Sequence, residues 1–135
     1  MKIAFVCVHN SCRSQMAEGL MKYFNKNKSI EIYSAGTEKY PKVKEKAVQV
    51  MESIGIDMKS HFPKLLNTIP DNLDILITMG CNVYCPFVPT RYSEDWNLDD
   101  PSGGTIKDFE ITRDIIKEKI VDLLERIEKG EFNEH

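Results

Sequence analysis

The chain has no apolar run approaching the roughly 18–20 residues that cross a bilayer. Its apolar opening, Met1 to Val8, is short and meets His9-Asn10-Ser11 instead of a small-residue cleavage site. It therefore reads as a buried strand and not as a secretory signal. Positive charge is not in excess: 18 Lys and Arg stand against 21 Asp and Glu, a formal net charge of -3. Nucleic-acid binders are usually basic, so that class is set aside. Repeats, linkers and low-complexity segments are absent. With 41% hydrophobic and 29% charged residues, disorder and fibrous architectures are excluded as well. The expectation is a cytoplasmic protein with no membrane and no nucleic-acid partner. Its 135 residues suffice for one domain, 1–135, with a core that needs no disulfide staples.

Cysteine is also scarce. The four thiols, Cys7, Cys12, Cys81 and Cys85, fall in two clusters. Structural disulfides are improbable in a cytosolic chain of this size, so clustered cysteines point to catalysis, redox chemistry or metal binding.

Hydrophobic periodicity sets out the elements. Ile3 to Val8 is a continuous, β-branched run suited to a strand buried on both faces. A helix is predicted from about Ser14 to Asn27 on the stripe Met16, Ala17, Leu20, Met21 and Phe24. Ile30 to Ala35 forms a second strand ended by Gly36. A helix follows from about Val43 to Ile54, with Gly55 at its end. Leu73 to Met79 forms a third strand. The stretch from Gly80 to Thr105, rich in Pro and Gly, has room for a short fourth strand near Arg91–Trp96. The last helix spans about Asp108 to Lys129, with Ile116, Ile120, Leu123 and Ile127 in register and Gly130 as its stop. Strands alternating with helices imply an α/β fold: a four-stranded parallel sheet with helices on both faces. Such sheets bind ligands beyond the carboxyl ends of their strands. The loops after the first and third strands meet there, and those two loops carry all four cysteines.

The segment Cys7-Val8-His9-Asn10-Ser11-Cys12-Arg13-Ser14 lies between a strand and a helix. A loop of this length can curl so that its N–H groups converge on one centre, together with the helix N-terminus. The result is an oxyanion-binding loop of Val8, His9, Asn10, Ser11, Cys12, Arg13 and Ser14. Arg13 adds a planar fork for two oxygens of a tetrahedral anion. Cys7, at the floor, becomes the nucleophile, and the same positive field favours its thiolate at neutral pH. Cys12 reads as a thiol packed beneath the loop, and His9 as an exposed loop residue.

Two adjacent carboxylates, Asp99 and Asp100, precede Pro101 on a loop. A thiolate attacking an oxyanion needs a proton for the departing oxygen, and a nearby carboxylic acid supplies it. An Asp turn before Pro101 is the structural alternative. Cys81 and Cys85 are three residues apart, in Met79-Gly80-Cys81-Asn82-Val83-Tyr84-Cys85-Pro86. Half of a zinc site is one reading, but C-x2-C is the common spacing and a second ligand pair is missing. Two structural thiols are another reading. A disulfide relay on a loop overhanging Cys7 fits better, and no metal is expected.

The run Cys7 to Gly19, with Arg13-Ser14-Gln15-Met16-Ala17-Glu18 inside it, resembles the opening of the low-molecular-weight protein tyrosine phosphatase superfamily. In particular it is similar to the thioredoxin-coupled arsenate reductase branch; most phosphatases of this fold have Pro where Gln15 stands. Ser34-Ala35-Gly36-Thr37 and Asp99-Asp100-Pro101 fall where the family has them, so the resemblance covers nearly the whole chain. It implies the flavodoxin-like phosphatase fold and a single substrate class, arsenate or a phosphate-like oxyanion. It assigns Asp100, the residue before Pro101, as the acid. It further implies that Cys7 attacks arsenate, Cys81 attacks Cys7, and Cys85 takes over the disulfide for reduction by thioredoxin or another thiol reductant such as mycothiol. No cofactor is implied. The same-fold alternative is a tyrosine phosphatase working through a Cys7 phosphocysteine intermediate, and residual phosphatase activity is compatible with the reductase. A thiol-based arsenite or metal sensor would need no acid, and Asp100-Pro101 speaks against it. Some members hold potassium through Asn, Glu and Ser groups. Asn10, Glu18 and Ser34 match these, but Lys64 stands where an acidic ligand belongs, so the ion is not expected.

Overall fold

The computed structural model describes residues 1–80 and 88–133. Four strands, β1 (Lys2–Cys7), β2 (Glu31–Gly36), β3 (Leu73–Thr78) and β4 (Thr90–Asp95), form one sheet in the order β2-β1-β3-β4. Every pairing is parallel, with Cys7 opposite Gly36, and Val6 opposite both Ala35 and Thr78. Three helices accompany it: α1 (Arg13–Phe24), α2 (Glu45–Glu52) and α3 (Ile106–Glu128). The expected α/β class and all seven expected elements are present, within a few residues of their predicted ends.

Strand alternation explains the two-sided core. Ile3, Phe5 and Cys7 of β1, with Ile75 and Ile77 of β3, face a cluster built by all three α-helices. Ala4, Val6 and Leu76 face the other way, in a cluster joined by Leu73, at the start of β3, and by Leu66 and Ile69. On that side the described residues contribute a short 3₁₀ turn, Leu66–Thr68, which has no period to betray it in the sequence. Helix α1 lies deepest: every residue from Arg13 to Met21 is buried. At about 25 cal/mol per Å² of apolar surface, side chains such as Met16, Leu20 and Met21 each contribute roughly 1.5–3 kcal/mol.

Two boundaries differ from the prediction for identifiable reasons. Helix α1 ends at Phe24, three residues early, because Asn25 Oδ1 accepts the Asn27 N–H at 3.0 Å and Asn27 Oδ1 accepts the Ser29 N–H at 2.9 Å. These side-chain turns satisfy the backbone in place of the helix ladder. Helix α3 starts two residues early because Thr105 caps it. Its hydroxyl accepts from the Asp108 N–H while Asp108 accepts from the Thr105 N–H, a reciprocal capping box. Among the described residues, no helix is long and apolar enough to cross a membrane.

From β1 the chain runs to β2 on one side and then back past β1 to β3 on the other. The carboxyl ends of β1 and β3 therefore flank the point where strand order reverses, the place where such sheets bind ligands. Met79 N–H bonds to Val6 C=O at 3.1 Å, which ties the end of β3 directly beside Cys7.

Candidate active site

Cys7, the last residue of β1, is 5% exposed. The loop that follows turns its carbonyls outward into the scaffold. Val8 C=O accepts from Thr37 N–H at 2.8 Å and Glu38 N–H at 2.9 Å, and Ser11 C=O accepts from Lys44 N–H at 2.8 Å. By contrast, the N–H groups from His9 to Cys12 have no acceptor among the described residues. Asn10 takes the left-handed conformation, φ 53°, that reverses the chain and lets successive N–H groups converge. These donors and the start of α1 at Arg13 lie together at the end of β1, a geometry that a tetrahedral anion would fit, and the loop is called the cradle below.

Gly36 keeps this loop in place, a role with no signal beyond its position at the end of β2. A Cβ there would lie 2.6 Å from Val8 O and 2.9 Å from Asn10 N. Overpacking of this kind typically costs about 1–3 kcal/mol. Gly36→Ala is expected to lower the melting temperature and to shrink the stabilisation that added phosphate gives, since the displaced backbone is the cradle itself. Thermal melts with and without phosphate read both effects.

Ser14 Oγ lies 2.9 Å from Cys7 Sγ. Asn10 Nδ2 donates to that same Oγ at 2.8 Å, so the serine's own hydrogen is left for the sulfur. Ser14 was legible as a cradle member, but its bond to the nucleophile was not.

Arg13 is buried. Its Nη1 donates to Met79 C=O at 2.7 Å and Leu98 C=O at 2.8 Å, and approaches Gly80 C=O at 3.4 Å. The expected fork is therefore narrower than the whole guanidinium: the Nε–Nη2 edge remains for two oxygens of an anion. Nη2 lies 3.9 Å from Asp100 Oδ2, so the expected acid stands at the edge of the same site. Asp100 is half-exposed. Partial burial pushes its carboxyl up, but hydrogen bonds from Ser102 and the charges of Arg13 and Lys44 outweigh this and hold it below the ordinary Asp value. Asp99 is exposed on the same loop.

Cys12 is buried, and burial pushes its thiol far up, with Asp100 and Cys7 adding to the effect. It packs beneath the loop, as its sequence position suggested. His9 packs its ring 4.9 Å from that of Tyr40 and reaches Glu38 at 3.3 Å, outside the cradle. Cys81 and Cys85 lie outside the described residues. Gly80, immediately before them, has φ 94° and a backbone pressed against Leu98, where a Cβ would meet Leu98 N at 2.8 Å.

Behind the cradle, Ser34 Oγ donates to the buried Glu18 carboxylate, Lys22 Nζ is 2.5 Å from it and Lys64 Nζ 3.5 Å from it. Burial pushes the Glu18 carboxyl up, but the Lys22 and Ser34 hydrogen bonds and the Lys64 charge bring it below the ordinary Glu value. Lys64 thus places an ammonium where the sequence suggested that a potassium site would lose a ligand.

The family model for low molecular weight phosphotyrosine protein phosphatase matches residues 2–132. The chain is 40% identical to the arsenate reductase of Staphylococcus aureus (strain Newman) over 119 residues, which is 85% of this chain and 89% of that protein. It is 38% identical to the glutaredoxin arsenate reductase of Synechocystis sp. over 130 residues, 93% of this chain and 98% of that one. A solved structure described as an arsenate reductase in the phosphate binding state superimposes with a TM-score of 0.83 at 36% identity, covering 93% of this chain and 98% of that one. With its strand-end cysteine, its cradle and its arginine, the chain belongs to the low molecular weight phosphotyrosine protein phosphatase family.

Proposed function

We propose that this chain is an arsenate reductase, with Cys7 as nucleophile, Arg13 and the loop N–H groups as anion holders, Asp100 as acid, and Cys81 and Cys85 as a thiol relay. The observation that carries the reading is Asp100 beside Arg13 Nη2, at the end of β1 that holds Cys7 and beside the end of β3, after which the sequence continues to Cys81 and Cys85. Phosphate and arsenate share shape and charge, so the cradle alone serves either. The thiol pair favours arsenate, and so do the relatives named arsenate reductases.

The Cys7 thiolate attacks arsenic, and one arsenic–oxygen bond breaks as that oxygen leaves as water with the proton from Asp100. Anion binding opposes the field of Arg13 and Lys44 at Asp100, which pushes its carboxyl back up and lets it hold that proton. The Cys81 thiolate then attacks the Cys7 sulfur. The sulfur–arsenic bond breaks, its electron pair stays on arsenic, and trivalent arsenite departs. Cys85 attacks Cys81, Cys7 is released as thiolate, and a Cys81–Cys85 disulfide remains. A dithiol reductant, thioredoxin or glutaredoxin, returns two electrons and two protons.

Asp100→Asn is expected to lower kcat by about 10²-fold or more, within the range of general acid catalysis. Stability stays within about 0.5 kcal/mol, as for an exposed loop position. Asp99→Asn costs much less. Steady-state kinetics of the two variants check the assignment, and equal losses would overturn it.

The function is tested by NADPH oxidation coupled through thioredoxin and thioredoxin reductase, or through glutaredoxin, glutathione and glutathione reductase. The reaction is started with arsenate or, separately, with phosphate. Arsenate-dependent oxidation supports the reductase. No oxidation beside brisk hydrolysis of p-nitrophenyl phosphate assigns the chain to the second reading, a phosphatase, which Cys7, Arg13 and Asp100 are equipped to support.

A further inference from the structure

The carboxylate of Asp95, the last residue of β4, joins the ends of two neighbouring strands, and the chemistry above makes no use of it. Thr78, its partner in the sheet and the last residue of β3, donates its hydroxyl to Asp95 Oδ1 at 2.6 Å. Gly80 N–H donates to the same oxygen at 2.8 Å. The second oxygen, Oδ2, accepts Asn97 N–H at 3.1 Å, which closes a turn two residues further on. One exposed side chain therefore fixes the backbone that follows β3 and the backbone that follows β4.

Both residues held in this way have unusual conformations. Gly80 has φ 94°, and Asn97 has φ 47°, a region that a residue with a side chain keeps only when its surroundings hold it there. The two segments also press together. A Cβ on Gly80 would lie 2.8 Å from Leu98 N and 3.1 Å from Asn97 Cα. Leu98 N–H closes the junction on Met79 C=O at 3.2 Å. Three carbonyls, those of Met79, Gly80 and Leu98, are thereby turned to one point, and Arg13 Nη1 occupies it at 2.7, 3.4 and 2.8 Å. Among the described residues, no other group accepts a hydrogen bond from Arg13. The angle of the guanidinium plane follows from these three oxygens.

We propose that Asp95 is a positioning residue for the anion-holding arginine: by fixing Gly80 and Asn97 it sets the three carbonyls that aim the Nε–Nη2 edge of Arg13 at the oxyanion. The inference rests on Arg13 being the anion holder, as proposed above. Asp95 acts through the backbone, since its own hydrogen bonds go to Thr78, Gly80 and Asn97. The same hold reaches the acid, because Leu98 leads directly into Asp99 and Asp100.

The test uses the full-length chain and inorganic phosphate as the probe. Its dissociation constant is measured by calorimetry at a temperature where every variant is fully folded, alongside kcat and KM for arsenate. Asp95→Ala is expected to weaken phosphate binding about five- to tenfold, the scale of one hydrogen bond to a charged group. It lowers kcat/KM for arsenate by at least that factor. Asp95→Asn offers one acceptor for two places and falls between Asp95→Ala and the wild type. Asp95→Ser reaches Asn97 N–H but not Gly80; it weakens phosphate binding nearly as much as Asp95→Ala and serves if that variant does not fold. In an Arg13→Lys background, Asp95→Ala weakens phosphate binding by no more than about twofold, because no guanidinium is left to aim. A residue that merely stabilised the strand ends would leave the phosphate constant of the folded protein unmoved. Wild-type phosphate affinity in a folded Asp95→Ala or Asp95→Ser protein, or equal losses in both backgrounds, would overturn the proposal. Wild-type affinity in Arg13→Lys alone would remove the anion-holding role of Arg13, and the proposal with it. Failure of the arsenate reading leaves a different mark: the wild type would not turn over arsenate, while the phosphate constants would still decide the role of Asp95.

Discussion

Cys7→Ser abolishes arsenate reduction and phosphoester hydrolysis together and leaves the protein folded. Removing the nucleophile of a covalent enzyme typically costs about 10⁴–10⁶-fold in kcat. A serine hydroxyl at this floor has no general base to activate it and is a far weaker nucleophile than a thiol. The substitution is nearly isosteric at a buried position, so the core around Cys7 is kept. Oxyanion binding also survives, because the N–H donors and the Arg13 edge are untouched. The expected signature is therefore a catalytically dead protein whose melting temperature still rises with added phosphate. Residual turnover above about one part in a thousand would mean that another thiol performs the attack.

Arg13→Lys is expected to lower kcat/KM by about 10²–10³-fold, the usual effect of removing a preorganised oxyanion donor. Charge is conserved, so a loss of this size would come from geometry. A lysine ammonium is a point charge with rotatable donors and cannot present the planar Nε–Nη2 edge to two oxygens. The same change takes Nη1 away from the buried carbonyls of Leu98 and Met79, of which Met79 keeps the Leu98 N–H. Leaving the Leu98 acceptor unpaired costs about 1–3 kcal/mol, so the melting temperature falls too. That structural effect reaches the acid, because Leu98 leads directly into Asp99 and Asp100. Kinetics and thermal melts on one preparation separate the two consequences. A variant with near wild-type kcat/KM would show that Arg13 is a brace between β1 and β3 and not an anion holder.

What could be read before folding was what the chain encodes locally. The apolar runs Ile3–Val8 and Leu73–Met79, and the helical stripes of Met16–Leu20 and Ile116–Leu123, disclose an alternating α/β order from which the parallel sheet follows. The cradle was equally local, since a strand, a short polar loop and a helix start are contiguous in residues 2–24. The end of α1 was misjudged because the Asn25 and Asn27 side chains compete with the helix ladder, a contest that periodicity does not register. The start of α3 was in principle visible in Thr105 and Asp108, although the acidic partner there is Asp and not the more familiar Glu or Gln.

Long-range partners had no local signal at all. Arg13 meets Met79 and Leu98 across 66 and 85 positions, and His61 meets Gln15 across 46. Gly36 carries no side chain to announce that Val8 and Asn10 press against it. Each of these depends on how the sheet order folds distant segments together.

The central claim is that electrons for arsenate come from the chain's own thiols, and one stoichiometric measurement reaches it most directly. Fully reduced protein is mixed with arsenate in the absence of any external reductant, arsenite is counted, and the thiols are mapped after acid quenching. The account predicts about one arsenite per chain and a disulfide joining Cys81 to Cys85, with no disulfide when phosphate replaces arsenate. In Cys85→Ser it predicts the same single turnover, stopped at a Cys7–Cys81 disulfide. Absence of arsenite, with all thiols still reduced in a protein that hydrolyses p-nitrophenyl phosphate, would contradict the account.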